Sequence, residues 1–276
     1  MKTSIEFEIN NPRLETRHRN VELDVPAGDI NFFVEHGYLC VPSMFSPGQL
    51  KEMGDALLKI ADSERTYRDP NNPDTSMSAM YLRWLIDKDA AFEHLFNCKM
   101  ARSIARAVLG PQVHFENVDG RICPPGVAGQ VVPWHIHLRS VPIPLPPFFC
   151  YPHAIHCSLY LDEVNEENGL FCVLPGSHRR PDLVLGADDT QDLPGQVELP
   201  IAAGTCVLMH ANLWHKTKAS TANAGQRRLL LFSYCPSWMR SDQRGGVPPQ
   251  RSFAGDRLKD AKDVEERELL GEFFWC

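Results

Sequence analysis

Two short segments carry the residues that could do chemistry: Trp134-His135-Ile136-His137 and, far downstream, Leu213-Trp214-His215 followed by Arg227. Side chains two apart on an extended chain point to the same side, so His135 and His137 can face one metal ion while Ile136 turns away. His215 from a distant strand would complete a facial set of three ligands. Arg227, one strand-length on, offers a fixed cation for an acidic cosubstrate beside that metal. Imidazole donors in this arrangement suit a non-haem iron centre, whose usual form is two histidines and one carboxylate. Here the carboxylate position reads as His137. An isolated His-x-His pair is as often ordinary surface or core histidine, so the case rests on its context.

Rival residues stand close to each member. His210 lies five residues before His215, at the end of an apolar strand. Glu116 and Asp119, on the preceding strand, are carboxylates that could replace His137 as ligand. Arg228 follows Arg227, and consecutive strand residues face opposite ways, so only one of the two can point inward. An arginine fork suits bidentate carboxylate binding in a closed pocket. Thr217, two residues after His215, could lend a hydroxyl to the same carboxylate. His153 and His156 are further candidates for substrate contact or for support of the ligands.

The elements that must position these residues change character along the chain. Residues 1–27 read as an extended arm. A short helix is predicted from Asp29 to Gly37, then a strand over Gly37–Pro42. Ser46 is a good N-cap and Pro47 suits the first helical position, opening a helix whose apolar face is Leu50, Met53, Leu57, Leu58 and Ala61. Residues 66–78 read as a loop, and helical periodicity returns from Asp89 to Leu109. From Val113 on, short β-branched and apolar segments alternate with Pro and Gly turns: Val113–Val118, Ile155–Leu161, Leu170–Leu174, Thr205–His210 and Arg228–Tyr234. The expected fold is mainly β with flanking helices, its strands in a jelly roll that gathers remote ligands at one mouth. One catalytic domain over 1–276 is expected: a mostly helical layer (1–112), a β core (113–240) and a tail (241–276) with a short helix from Asp263 to Leu270. Pro142-Ile143-Pro144-Leu145-Pro146-Pro147-Phe148-Phe149 reads as a stiff apolar loop, a lid or wall for a bulky, partly hydrophobic substrate.

Composition narrows the function classes. The chain has 276 residues, 43% hydrophobic and 23% charged, with a net charge of −7, ordinary for a soluble globular protein. No basic block invites nucleic acid, and no apolar run is long enough to span a bilayer. The N-terminus lacks the apolar stretch of a signal peptide. Nine cysteines without CxxC spacing read as reduced thiols in a cytoplasmic protein rather than a zinc finger.

The region from about Gly37 to Trp238 resembles the phytanoyl-CoA dioxygenase family of Fe(II)/2-oxoglutarate oxygenases. Four stretches carry the resemblance: Pro125-Gly126 with Trp134-His135-Ile136-His137; Glu167-Asn168-Gly169-Leu170 with Leu174-Pro175-Gly176-Ser177-His178; Gly204-Thr205 with His210 and Leu213-Trp214-His215; and Arg227-Arg228. It implies a double-stranded β-helix (cupin-like) core, with His135 and His215 as iron ligands. It also implies Arg227, assisted by Thr217, as partner of the 2-oxoglutarate C5-carboxylate. Molecular oxygen and a small-molecule substrate complete the expected reactants, and hydroxylation, desaturation or cyclisation the outcomes. His178 and His210 match structural positions. The family motif is HxD, and the departure at His137 leaves three readings: an active His135/His137/His215 centre, a centre completed by Glu116 or Asp119, or a noncatalytic partner subunit. A three-histidine oxygenase without 2-oxoglutarate and a zinc hydrolase are rivals outside the family. Loss of the carboxylate to a small residue accompanies halogenases in this family, and histidine does not leave that room.

Overall fold

Alternation along the strands from Val113 onward builds two sheets, and a computed structural model describes them within residues 2–8, 18–64, 79–116, 118–137, 153–186, 188–239 and 253–272. The larger sheet has the order β3 (Tyr38–Val41), β11 (Cys206–His210), β8 (Ile155–Tyr160), β13 (Arg227–Pro236), β6 (Asp119–Cys123), β4 (Met80–Leu82), with β5 (Val113–Phe115) also on β13. The smaller has the order β10 (Val197–Leu199), β9 (Phe171–Val173), β12 (His215–Thr217), β7 (Val132–His135). Every strand pairing in these two sheets, among the described residues, is antiparallel. Two facing sheets with flanking helices make the expected jelly roll.

Strands β3, β8, β11 and β13 of the larger sheet serve two cores. Leu230, Phe232 and Tyr234 of β13 join Cys157 and Leu159 of β8 in a cluster with the helices α1 (Ala27–His36), α2 (Pro47–Glu64) and α4 (Lys99–Leu109). The alternate residues, Leu229 of β13, Tyr160 of β8 and Val207 and Met209 of β11, meet Phe171 and Val173 of the smaller sheet inside the barrel. Fully burying one such aliphatic or aromatic side chain is worth about 1.5–3 kcal/mol. Register is therefore strongly fixed, because a one-residue slip would swap the two faces.

The predicted start of α2 holds: Ser46 Oγ accepts from Gln49 N–H at 3.3 Å and Gln49 Oε1 accepts from Ser46 N–H at 2.9 Å, a reciprocal cap. The helical stretch expected over Asp89–Leu109 is broken: α3 (Glu93–Phe96) ends at Asn97 and α4 restarts at Lys99. The predicted arm is partly a hairpin, β1 (Thr3–Glu8) on β2 (His18–Leu23), because Val21, Leu23 and Val25 bury themselves in the helical core. The layer before Val113 is thus more strand-rich than expected, and β3 enters the larger sheet.

In the tail, α5 (Phe253–Asp260) precedes the predicted helix, which runs as α6 (Val264–Leu269) with Asp263 as its cap. Glu268, 1% exposed, accepts from Arg19, Arg106 and Gln112. This node ties α6 to β2 and α4. The loop predicted over 66–78 and the Pro142–Phe149 stretch lie outside the described residues. No helix among the described residues is long and apolar enough to cross a membrane.

Candidate metal centre

Strand pairing in the smaller sheet brings the predicted ligands together. His135, the last residue of β7, is the Cα partner of His215, the first of β12. His137 follows two residues later, and its N–H donates to Ala211 O at 2.9 Å. Ring centroids lie 4.1 Å apart for His135–His215, 4.8 Å for His137–His215 and 5.5 Å for His135–His137. One ligand atom from each of the three falls within 4.8 Å of the other two.

Their tautomers are set from behind. His135 Nδ1 lies 2.9 Å from Pro133 O, and His215 Nδ1 lies 2.8 Å from Leu213 O. A carbonyl only accepts, so both Nδ1 atoms carry the proton and both Nε2 lone pairs are left for a metal. That backing is characteristic of metal-bound histidine. Burial, together with the neighbouring His135 and His156 rings, holds the His215 pKa well below its ordinary value. His215 is thus a neutral imidazole, the form that ligates. The donor set fits a borderline divalent ion such as Fe(II).

The outer face of the smaller sheet fixes these strands. Trp134, 1% exposed, donates its indole N–H to Gln191 O at 2.8 Å. Lys216, equally buried, lies with Nζ 5.0 Å from that ring's centroid and donates to Thr190 O, Gln191 O and Asp192 Oδ1. Trp134 and Lys216 alternate with His135 and His215, so packing outside the barrel aims the imidazoles inside.

Arg227 is the inward arginine. It is 3% exposed, and its Nη1 donates to Asn168 O at 2.5 Å and Gly169 O at 2.7 Å, while Nη2 lies 3.6 Å from Cys123 Sγ. Arg228 faces the opposite way and holds Asp162 through its N–H, Nε and Nη2 at 2.8, 2.9 and 2.7 Å. Thr217 belongs to the Arg227 corner: a Cβ on Gly169 would lie 3.0 Å from Arg227 Nη1 and 3.3 Å from Thr217 Cγ2.

The rival residues fall elsewhere. His210 accepts from Asn212 N–H at Nδ1, and its ring lies 4.8 Å from that of His178. His178 in turn donates from Nε2 to Val34 O at 3.1 Å, fastening the Gly176–Ser177 turn to α1. Asp119 accepts from Trp84 N–H and pairs with Arg83. Glu116 accepts from the Ser233 hydroxyl. Among the described residues no carboxylate joins the three imidazoles.

Three interior residues bear on the centre: His156, already a candidate for support of the ligands, and Tyr160 and Arg121, which sequence reasoning passed over. His156 lies within β8, with its ring 4.0 Å from that of His137. Tyr160, on the same face, is fully buried, and burial raises its hydroxyl pKa past the ordinary value against the opposing pull of Arg227 and Arg121. Period-two counting along Ile155–Leu161 would have picked out His156 and Tyr160 together. Arg121 required the β6–β13 register, which puts it opposite Leu229.

Solved structures share this fold. HygX from Streptomyces hygroscopicus, with nickel, 2-oxoglutarate and hygromycin B bound, superposes with a TM-score of 0.63 at 18% identity, over 80% of this chain and 95% of that one. AviO1 from Streptomyces viridochromogenes Tue57 gives 0.58 at 20% identity, over 81% and 97%. The epimerase SnoN, in complex with Fe3+, alpha ketoglutarate and nogalamycin RO, gives 0.60 at 17% identity, over 82% and 93%. No curated protein matches the chain by sequence. The profile of the phytanoyl-CoA dioxygenase (PhyH) family does, over residues 33–229, and the chain belongs to that family of dioxygenases.

Proposed function

We propose that this chain is an Fe(II)/2-oxoglutarate-dependent oxygenase acting on a small, partly hydrophobic metabolite or natural-product intermediate. In this reading His135, His137 and His215 hold the iron. Arg227, with Thr217, binds the far carboxylate of 2-oxoglutarate. The observation that carries it is the convergence of three imidazoles, two with Nδ1 tied to backbone carbonyls, in the barrel that also buries Arg227. When bound, iron and 2-oxoglutarate supply an oxidant from O2, one oxygen atom ending in succinate and the other available for the substrate.

The chain's own residues do the rest. Three imidazoles leave open positions for the cosubstrate and oxygen. The backbone carbonyls of Asn168 and Gly169 orient the Arg227 fork, which supplies a buried positive charge that a lone carboxylate would otherwise lack. Phe171, with its ring 5.6 Å from that of His215, and the apolar residues around it exclude water from the inner barrel. HygX and SnoN carry natural products in their complexes, which supports that substrate class here. Seven described cysteines form no disulfide, in keeping with a reducing, cytoplasmic setting. The cluster shared by the helices and the larger sheet supports one catalytic domain over the chain.

The test is anaerobic addition of Fe(II) and then 2-oxoglutarate, followed by the visible metal-to-ligand charge-transfer band of the chelate. Wild type should develop the band, and Arg227→Ala should lose it at the same cosubstrate concentration. A band seen only after His137→Asp would instead mean that the site has turned away from 2-oxoglutarate chemistry.

A further inference from the structure

A second cluster repeats the construction of the first on the opposite sheet. The first centre takes two donors, two residues apart, from β7 and its continuation, and a third from the cross-strand partner of the first donor. On the larger sheet His114 and Glu116 are two apart on β5 and its continuation. Cys235 of β13 is the Cα partner of His114. Their ligand atoms lie within 4.8 Å of one another. His114 presents Nε2 rather than Nδ1 to the sulfur, at 2.8 Å against 3.8 Å. Ser233, two residues before Cys235, orients the Glu116 carboxylate with its hydroxyl and accepts the Glu116 N–H at 2.8 Å.

We propose that His114, Glu116 and Cys235 form a second metal site, for a borderline divalent cation of the Zn2+ class. The donors are one imidazole, one carboxylate and one thiolate, the mixture that zinc accepts at about 2.0–2.3 Å. Thiolate in the set selects against hard cations such as Mg2+ and Ca2+. His114 and Cys235 are 7% and 2% exposed, so a thiolate and a carboxylate together in this place need a positive charge to offset their desolvation. A divalent ion with these two anions and a neutral imidazole is electrically balanced. Binding displaces the Cys235 thiol proton to solvent and spreads sulfur and nitrogen to about 3.5 Å, as tetrahedral ligation requires. Three protein ligands leave a fourth position, the mark of an open rather than a closed zinc site.

The site adjoins the first centre. Cys235 packs with Ala154 and Ala211, and Ala211 O accepts the His137 N–H. Ser233 is the Cα partner of His156, whose ring meets that of His137. An ion held here would present its open position on the inner face of β13, beside the proposed iron.

Cobalt titration of the metal-free full chain under argon tests this. Co2+ should bind in two equivalents, one of them with a near-ultraviolet thiolate-to-cobalt charge-transfer band that Zn2+ abolishes by competition. Cys235→Ala should lose that band and that equivalent while keeping the other, and Glu116→Gln should weaken the banded equivalent at least tenfold. His215→Ala should lose only the unbanded equivalent, which separates this proposal from the reading of the first centre. Circular dichroism checks that each variant is folded. Absence of the thiolate band in wild type, or its survival in Cys235→Ala, would overturn the proposal.

Discussion

Replacing Gly169 with alanine should weaken 2-oxoglutarate binding by displacing Arg227. Gly169 has φ +92°, which costs a non-glycine residue about 1–2 kcal/mol. Its new Cβ would sit 2.4 Å from the Lys218 carbonyl oxygen and 3.0 Å from Arg227 Nη1. The carbonyl is backbone, just past the end of β12, with Lys218 N–H donating to Leu170 O at 2.9 Å, so the Asn168–Gly169 backbone must move. That movement disturbs the two acceptors of Arg227 Nη1, the carbonyls of Asn168 and Gly169. Hydrogen bonds to a charged group are worth about 1.5–3 kcal/mol each. Loss of one, expressed as misplacement of the guanidinium, corresponds to roughly 10- to 100-fold in affinity at about 1.4 kcal/mol per decade. The expected result is a KM for 2-oxoglutarate raised at least tenfold, with kcat reduced less and urea stability down by about 2–4 kcal/mol. Steady-state succinate formation against cosubstrate concentration, beside urea unfolding, reads both. A destabilised variant with unchanged KM would refute the claim that these carbonyls position Arg227.

Three further outcomes follow from the packing. Gly120→Ala places a methyl 2.5 Å from Leu57 Cδ1 and 2.9 Å from Leu85 Cδ1, so these two fully buried side chains must repack; urea unfolding should show a loss of about 1–3 kcal/mol. Lys216→Met removes the donor to three oxygens behind β12; it should cost about 1–3 kcal/mol and weaken iron affinity, measured by competition with a chelator. His178 has its pKa lowered chiefly by burial, so below about pH 6.5 the unfolded chain takes up a proton that the folded one resists. That contribution to stability is complete above pH 6.5 and is lost as pH falls toward the folded value. Urea midpoints across pH 5–7.5 should decline on the acid side, less steeply in His178→Gln.

Local signals carried much of this architecture. The His135–His137 spacing and the Ser46 cap depend on neighbours within a turn or a strand and appear as read, whereas alternation alone left Arg227 and Arg228 open and only the family resemblance favoured Arg227. The hairpin β1–β2 was legible only as an extended arm, because its burial depends on α4 and α6, distant in sequence. Helix α5 has no buried residue of its own and so no clear apolar stripe to read. The interior roles of Arg121, Tyr160 and the His114–Cys235 pair depend on which strand neighbours which, and on register. Long-range pairing sets both, and a single strand's pattern does not encode them. His137 shows the limit most sharply: spacing placed it on the metal side of β7, while the position of Glu116 and Asp119 relative to it emerged only from the folded sheet.

The central claim is that His137 takes the carboxylate's place in an iron centre that uses 2-oxoglutarate. A crystal structure of the anaerobic Fe(II)–2-oxoglutarate complex tests it most directly. Our account predicts one nitrogen each of His135, His137 and His215 on the iron and the far carboxylate of 2-oxoglutarate on Arg227. His137 turned off the metal with Glu116, Asp119 or solvent in its position, or 2-oxoglutarate bound away from Arg227, would contradict it.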